Sequence, residues 1–140
     1  MALAHTHRSA LRIVLIEGES GVGKSELVAE FVRRTRRARP TLLALYGRCY
    51  ENEQVSYKAF DGCIDELSRA LGSLPEAACA ALLPLRAAVL GQLFPVLQRV
   101  GAIAHAPLSN LSADPTARRL EAFDALVAVL RTLAEERPLV

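Results

Sequence analysis

Eight consecutive residues near the start of the chain have the spacing of a phosphate-binding loop. They are Gly18, Glu19, Ser20, Gly21, Val22, Gly23, Lys24 and Ser25, and they fit the pattern G-x-x-x-x-G-K-[ST]. Glycines let backbone N–H groups turn inward and approach phosphate oxygens that a Cβ would block. In this pattern the lysine contacts the β- and γ-phosphates, and the following hydroxyl ligates Mg²⁺. The sequence therefore predicts a site for ATP or another nucleoside triphosphate, with Lys24 on the phosphates and Ser25 as the metal ligand.

The segments on either side of the loop are those that would position it. Residues 11–17 are apolar and β-branched, which is typical of a buried strand. Residues 24–37 have apolar side chains on one helical face, so we predict a helix whose positive N-terminal end faces the phosphates. A strand, a glycine-rich loop and a helix in this order favour nucleotide binding over a glycine-rich turn that binds nothing.

Two further apolar stretches extend this prediction to a fold. Residues 41–46 predict a second buried strand after Pro40, which gives a βαβ unit with parallel strands and a right-handed crossover. Residues 138–140 predict the start of a third strand, the one that would carry the acidic Walker B motif. We therefore predict an α/β fold of the P-loop NTPase class, with a partial three-layer parallel sheet and an enlarged helical portion.

The rest of the chain predicts mainly helices. Apolar spacing predicts helices over residues 56–71, 75–83 and 85–93, and a loop or partial helix over residues 96–112. The clearest helix has Asp114 as its N-cap and Pro115 at its first position, and it continues to residue 136. The predicted organisation is a disordered leader at residues 1–10 and a truncated P-loop ATPase domain at residues 11–140, with its helical segment at residues 56–136.

Composition and charge limit the classes of function. A chain of 140 residues, 51% of them hydrophobic, can form one domain with its own core. The formal net charge of +2 does not mark a nucleic-acid-binding protein. Three cysteines without a C-x-x-C pair, Cys49, Cys63 and Cys79, favour a reducing cytoplasm over a disulfide framework or a zinc site. Since no apolar run reaches 18 residues, we expect a cytoplasmic protein with no membrane span.

Hydrolysis requires an acidic residue for which the sequence offers no candidate. A carboxylate at the end of an apolar strand usually holds the Mg²⁺ shell. The aspartates are Asp61, Asp65, Asp114 and Asp124, and each falls within a predicted helix or at its start. Enzymatic activity therefore stays open, and we expect the acidic motif to follow residue 140.

Taken together, these residues resemble bacterial AAA/STAND-type signalling ATPases. The resemblance is carried by residues 14–25, 46–51, 57–60 and 136–140, and it covers about residues 11–140. It implies that this is the N-terminal portion of such a domain, because the acidic second motif, the sensor strand and the helical lid are absent after Val140. The family's usual lead-in, which resembles Phe-Val-Gly-Arg-Glu, is also absent before Leu11. In that family the module often lies between a serine/threonine kinase, cyclase or regulator domain and tetratricopeptide repeats. The resemblance therefore implies such domains as partners and a switching role for the nucleotide.

Two other functions stay open at this point. The chain could be a helical protein-interaction fragment with a vestigial loop, whose helices at residues 56–93 and 114–136 carry the partner surface. It could also be a small P-loop kinase acting on a nucleotide or metabolite. A kinase needs an acceptor site and an arginine-bearing lid, and the sequence indicates neither. The loop pattern does not separate ATP from GTP.

Overall fold

A computed structural model of the chain describes residues 12–49, 57–108 and 111–140. It divides into two compact units, Met1–Leu42 (unit 1) and Leu43–Val140 (unit 2). The predicted disordered leader at residues 1–10 lies outside the described residues. Unit 1 contains the glycine-rich loop, and unit 2 contains the hydrophobic core.

The helix of unit 1, α1, spans Lys24–Ala38 and confirms the helix predicted over residues 24–37. Glu26 lies in its first turn, and Arg36 and Arg37 lie in its last turn, so the charges at both ends interact favourably with the helix dipole. None of its residues is buried, and Leu27 and Phe31 are 57% and 54% exposed. Local interactions therefore contribute most of the stability of α1.

A carboxylate on the exposed face of α1 supplies part of that local stabilisation. Glu30 accepts hydrogen bonds from Arg33 and from Nε of Arg34, the latter at 2.6 Å. These contacts to Arg33, and then to Arg34, lower the pKa of Glu30. Because the carboxylate is the paired form, the contribution is present at neutral pH and is lost as the pH falls through the lowered pKa.

The predicted parallel sheet is wrong. Residues 12–17 form no strand, and Ile13, Val14 and Leu15 are between 79% and 87% exposed. Across the described ranges, β pairing is limited to an isolated parallel bridge between Leu43 and Leu139. Neither the three-layer α/β architecture nor the βαβ unit is therefore present in the described residues.

The error has a physical reason. A strand is stable only when its N–H and C=O groups pair with a neighbouring strand. A β-branched run records how well side chains suit a sheet, and it carries no information on whether a partner strand exists. No residue in the described ranges pairs with residues 12–17, and the predicted strands at 41–46 and 138–140 are reduced to the single bridge.

Unit 2 is helical over most of its described length. Its α-helices are α2 (Asp61–Gly72), α3 (Glu76–Leu82), α4 (Ala88–Leu93), α5 (Gly101–Ala104) and α6 (Pro115–Glu136), with 3₁₀ turns at Lys58–Phe60 and Pro95–Arg99. The helix predicted from residue 56 therefore begins in its α form at Asp61. The partial helix predicted within residues 96–112 is confirmed by α5 and the turn before it.

The start of α6 follows the sequence prediction. Asp114 accepts hydrogen bonds from the backbone N–H groups of Thr116, at 3.2 Å, and Ala117, at 3.0 Å. Pro115 occupies the first helical position, where its missing N–H leaves no bond unmade. These contacts confirm Asp114 as the N-cap.

The core of unit 2 consists of aliphatic side chains from α2, α4, α6 and the turns between them. The most deeply buried of these are Leu67, Leu71, Leu90, Leu97, Val129 and Leu133. At one edge, the ring of Phe123 makes edge-on contacts with the rings of Tyr57 and Phe94, at centroid distances of 5.2 and 6.3 Å. The Ser68 hydroxyl donates to the carbonyl of Val96 at 3.2 Å, which ties α2 to the turn at Pro95–Arg99.

Candidate functional site

The backbone of the glycine-rich loop uses its glycines for conformation and for space. Gly21 and Gly23 have φ angles of 84° and 91°, in the left-handed region that disfavours other residues. A Cβ on Gly18 would lie 3.1 Å from Cγ2 of Val22, which is closer than ordinary packing. The glycines thus match two requirements of backbone conformation, at Gly21 and Gly23, and one of space, at Gly18.

The side chain of Lys24 folds back over the loop. Its Nζ donates to the carbonyl oxygens of Gly18, at 2.7 Å, and Glu19, at 2.6 Å. A lysine ammonium has three N–H donors, and these contacts use two of them. The cation is therefore held beside the loop, although the side chain is attached to the first residue of α1.

The N-terminus of α1 adds donors at the same place. Gly23 is the N-cap of α1, and its carbonyl accepts the first helical bond from Leu27 at 2.9 Å. The N–H groups of the first helical turn have no helical acceptors, so they are available to an anion. Ser25 is the second residue of α1 and is exposed, and its hydroxyl has no hydrogen-bond partner among the described residues.

This arrangement fits a phosphate group with an associated cation. The left-handed glycines, the first-turn N–H groups and Lys24 lie together at the start of α1, and a Cβ at Gly21 or Gly23 would strain the backbone. Within the described ranges, no group of three His, Cys, Asp or Glu side chains could hold a metal ion by itself. Ser25 is the residue of this arrangement that could hold a hard cation such as Mg²⁺ together with phosphate oxygens.

The aspartates lie in the helices predicted for them or at the start of one. Asp61 and Asp65 are in α2, Asp114 caps α6 and Asp124 lies within α6. The described residues thus provide no aspartate at the end of a strand. Asp61 and Asp65 have a second feature that was not predicted: they line a cleft in unit 2 with Tyr57 and Arg99. In the sequence, the spacing of one helical turn between Asp61 and Asp65 was the feature that could have indicated that they share a surface.

The three cysteines differ in their surroundings. Cys49 is exposed, Cys63 is half-buried and Cys79 is buried. Burial raises the pKa of the Cys63 and Cys79 thiols, and for Cys79 the charge of Glu76 adds to the effect. The thiols of Cys63 and Cys79 therefore stay protonated at neutral pH and are poor nucleophiles.

No helix in the described part of the chain combines the length and the apolar character needed to cross a bilayer. The longest, α6, carries charged side chains throughout its length. This finding concerns the described helices alone.

Comparison with known protein families gives a match along the whole chain. The family model described as AAA ATPase domain matches residues 1–140, which include both the glycine-rich loop and the helical unit. No curated protein matches the chain, and no solved structure matches it.

Proposed function

The chain belongs to the AAA ATPase domain family, and we propose that it binds a nucleoside triphosphate with Mg²⁺ at the loop Gly18–Ser25. The observation that carries the proposal is the position of Lys24, whose Nζ lies 2.7 Å from the carbonyl of Gly18, across the loop. The family supports nucleotide binding as the class of function. The left-handed Gly21 and Gly23, together with the helix N-terminus, support this loop as the place.

Each part of the loop has a distinct role in this proposal. The N–H groups of the loop and of the first turn of α1 would hold phosphate oxygens. Lys24 already lies beside the loop, where its Nζ donates to the carbonyls of Gly18 and Glu19. On binding, it would exchange these contacts for contacts to the more negative β- and γ-phosphates. Ser25 would hold Mg²⁺. When bound, Mg²⁺ offsets the negative charge of the phosphates.

The activity we propose for these residues is binding, with ATP as the first ligand to test. A role as a regulatory switch within a larger signalling ATPase is a further proposal. It is supported by the sequence resemblance, which implies kinase, cyclase or regulator domains and tetratricopeptide repeats as partners. Binding would change the position of such domains relative to one another.

A titration with a fluorescent ATP analogue tests the binding proposal. We expect Lys24→Ala to weaken binding at least about tenfold, which corresponds to about 1.4 kcal/mol. Arg37→Ala is the matched control, because it removes a cation from the last turn of the same helix, and its affinity should equal that of the unchanged chain. Equal affinities for the unchanged chain and Lys24→Ala would overturn the proposal.

A second titration tests whether Ser25 is a ligand of Mg²⁺. In the unchanged chain, chelation of Mg²⁺ should weaken binding of the analogue. In Ser25→Ala the same chelation should have a smaller effect, because a metal ligand has already been removed. An identical dependence on Mg²⁺ in both proteins would exclude Ser25 as a ligand while leaving the role of Lys24 intact.

A further inference from the structure

The thiol of Cys63 lies against the backbone of a neighbouring segment in unit 2. Cys63 is in the first turn of α2, half-buried, and its thiol is free. A Cβ on Gly47 would lie 3.1 Å from Sγ of Cys63 and 2.3 Å from the carbonyl oxygen of Ala59. The backbone at Gly47 therefore rests on the start of α2, and the sulfur of Cys63 is part of that contact.

A second thiol follows Gly47 two residues later in the chain. Cys49 is exposed, and its thiol is free. Consecutive Cα atoms are about 3.8 Å apart, so the Cα of Cys49 lies within about 7.6 Å of the Cα of Gly47. A disulfide needs a Cα separation of about 4.4–6.8 Å. The chain from Gly47 to Cys49 is thus long enough for the second thiol to reach Cys63 while Gly47 and α2 stay in place.

The remaining cysteine is shielded from solvent. Cys79 lies in α3, is 2% exposed and belongs to the hydrophobic core of unit 2. Oxidants in solution react with accessible thiols, so a buried one is inert until the protein unfolds. Cys49 and Cys63 are therefore the two thiols that an oxidant could join in the folded protein, and Cys79 serves as an internal control.

We propose that Cys49 and Cys63 form a reversible disulfide on exposure to a peroxide, and that this bond clamps the segment after Gly47 onto α2. In the first step the sulfur of Cys49 attacks hydrogen peroxide, the O–O bond breaks, and a sulfenic acid and one water form. In the second step the sulfur of Cys63 attacks the sulfenic sulfur, the S–O bond breaks, and the oxygen leaves as a second water. Overall, the two thiols lose two electrons and the peroxide gains them.

The burial of the two thiols sets the order of these steps. Cys49 is exposed and meets the oxidant first. Burial raises the pKa of Cys63, which makes it slow towards a free oxidant, but its contact with Gly47 keeps it within reach of a sulfenic acid on Cys49. The bridge at Leu43 already ties the preceding residues to Leu139, so the disulfide fixes this segment at its second end. Cellular thiols reverse the bond by exchange.

Peptide mapping of the full chain tests the proposal. The chain is treated with hydrogen peroxide, its free thiols are blocked with iodoacetamide, and the monomer is digested with trypsin without reduction. Trypsin places the three cysteines in separate peptides, residues 49–58, 59–69 and 70–86. We expect mass spectrometry to show peptides 49–58 and 59–69 joined, and dithiothreitol to release both. Absence of this pair in the monomer, or a pair that includes residues 70–86, would overturn the proposal.

Variants of the cysteines provide the second arm. Cys63→Ser leaves the sulfenic acid of Cys49 without a partner, so its labelling by dimedone should rise at least about fivefold over that of the unchanged chain. Cys79→Ala is the control and should keep both the disulfide and the low labelling.

Thermal unfolding measures the clamp itself. Peroxide should raise the unfolding midpoint of the unchanged chain by about 5 °C or more and leave that of Cys63→Ser unmoved, because the closed loop restricts the unfolded chain. Circular dichroism before oxidation should show the same helix content in each protein. Equal dimedone labelling in Cys63→Ser and the unchanged chain, or a midpoint that peroxide does not raise, would contradict the proposal.

Discussion

Gly47 and Gly62 lie at a close approach between two backbone segments of unit 2. A Cβ on Gly47 would be 2.3 Å from the carbonyl oxygen of Ala59, and a Cβ on Gly62 would be 2.3 Å from the carbonyl oxygen of Tyr46. Both obstacles are backbone atoms, which cannot move aside as a flexible side chain can. Residues 46–47 and the start of α2 therefore pack against each other only because neither glycine has a side chain.

We predict that Gly62→Ala and Gly47→Ala each destabilise the protein by about 2 kcal/mol or more, since each forces a backbone shift. Urea unfolding followed by circular dichroism measures the change. Gly72→Ala, at the end of the same helix, is the control, because its added Cβ meets nothing within 4 Å. That variant should be neutral or more stable, and a loss equal to that of Gly62→Ala would show that crowding is not the cause.

Leu97 illustrates the contribution of the core. Its side chain is 0% exposed, so Leu97→Ala should leave a cavity and lower the free energy of unfolding by about 2–4 kcal/mol. Leu85 is 97% exposed, and Leu85→Ala should change the same quantity by less than about 0.5 kcal/mol. Similar losses in the two variants, measured by chemical denaturation, would contradict the position of the core.

The cap of α6 gives a third prediction. Asp114→Ala removes the acceptor of the hydrogen bonds from Thr116 and Ala117, and it should destabilise the protein by about 1 kcal/mol. Asp124→Ala removes the same charge from the exposed middle of α6 and should have a smaller effect. If thermal unfolding showed equal midpoints for these two variants, capping by Asp114 would not be a stabilising interaction.

Cysteine reactivity gives a fourth prediction, which depends on pH. Thiolates are the reactive form, and burial raises the pKa of Cys63 and Cys79, so both should react slowly with iodoacetamide at pH 7.5. The exposed Cys49 should be alkylated first. Raising the pH should increase the rates at Cys63 and Cys79, while Cys79, at 2% exposure, stays the slower of these two. Mass spectrometry of peptides gives the order, and early labelling of Cys79 would contradict its burial.

The helices could be predicted because their signals are local. Apolar spacing predicted α1, and Asp114 and Pro115 predicted the start of α6, from residues that are neighbours in the sequence. The strands could not be predicted in the same way. Residues 12–17 have every side-chain feature of a strand, but pairing requires a second backbone, and the pattern of one segment says nothing about it.

The glycine-rich loop and the cleft of unit 2 also differ in how far local sequence predicts them. The positive φ angles of Gly21 and Gly23 could be predicted from the sequence, because they depend on a few consecutive positions, and the role of the loop in nucleotide binding stays a prediction. The cleft of unit 2 lined by Asp61 and Asp65 combines residues from α2, the end of α4 and the turn at Pro95–Arg99, whose proximity results from packing. Nothing in the sequence around Asp65 indicates that Arg99 lines the same cleft.

The bridge between Leu43 and Leu139 joins the two ends of unit 2. Leu43 donates its N–H to the carbonyl of Pro138 at 2.9 Å, and its own carbonyl accepts the N–H of Val140 at 3.0 Å. Contacts between distant residues form late in folding, because closing a long loop costs more entropy than forming a helical turn. During synthesis, Leu43 therefore cannot form its bridge with Leu139 until the helices between them have emerged from the ribosome. Through that interval the N–H and C=O groups of Leu43 lack the partners that Pro138 and Val140 provide, and they are open to pairing with another chain.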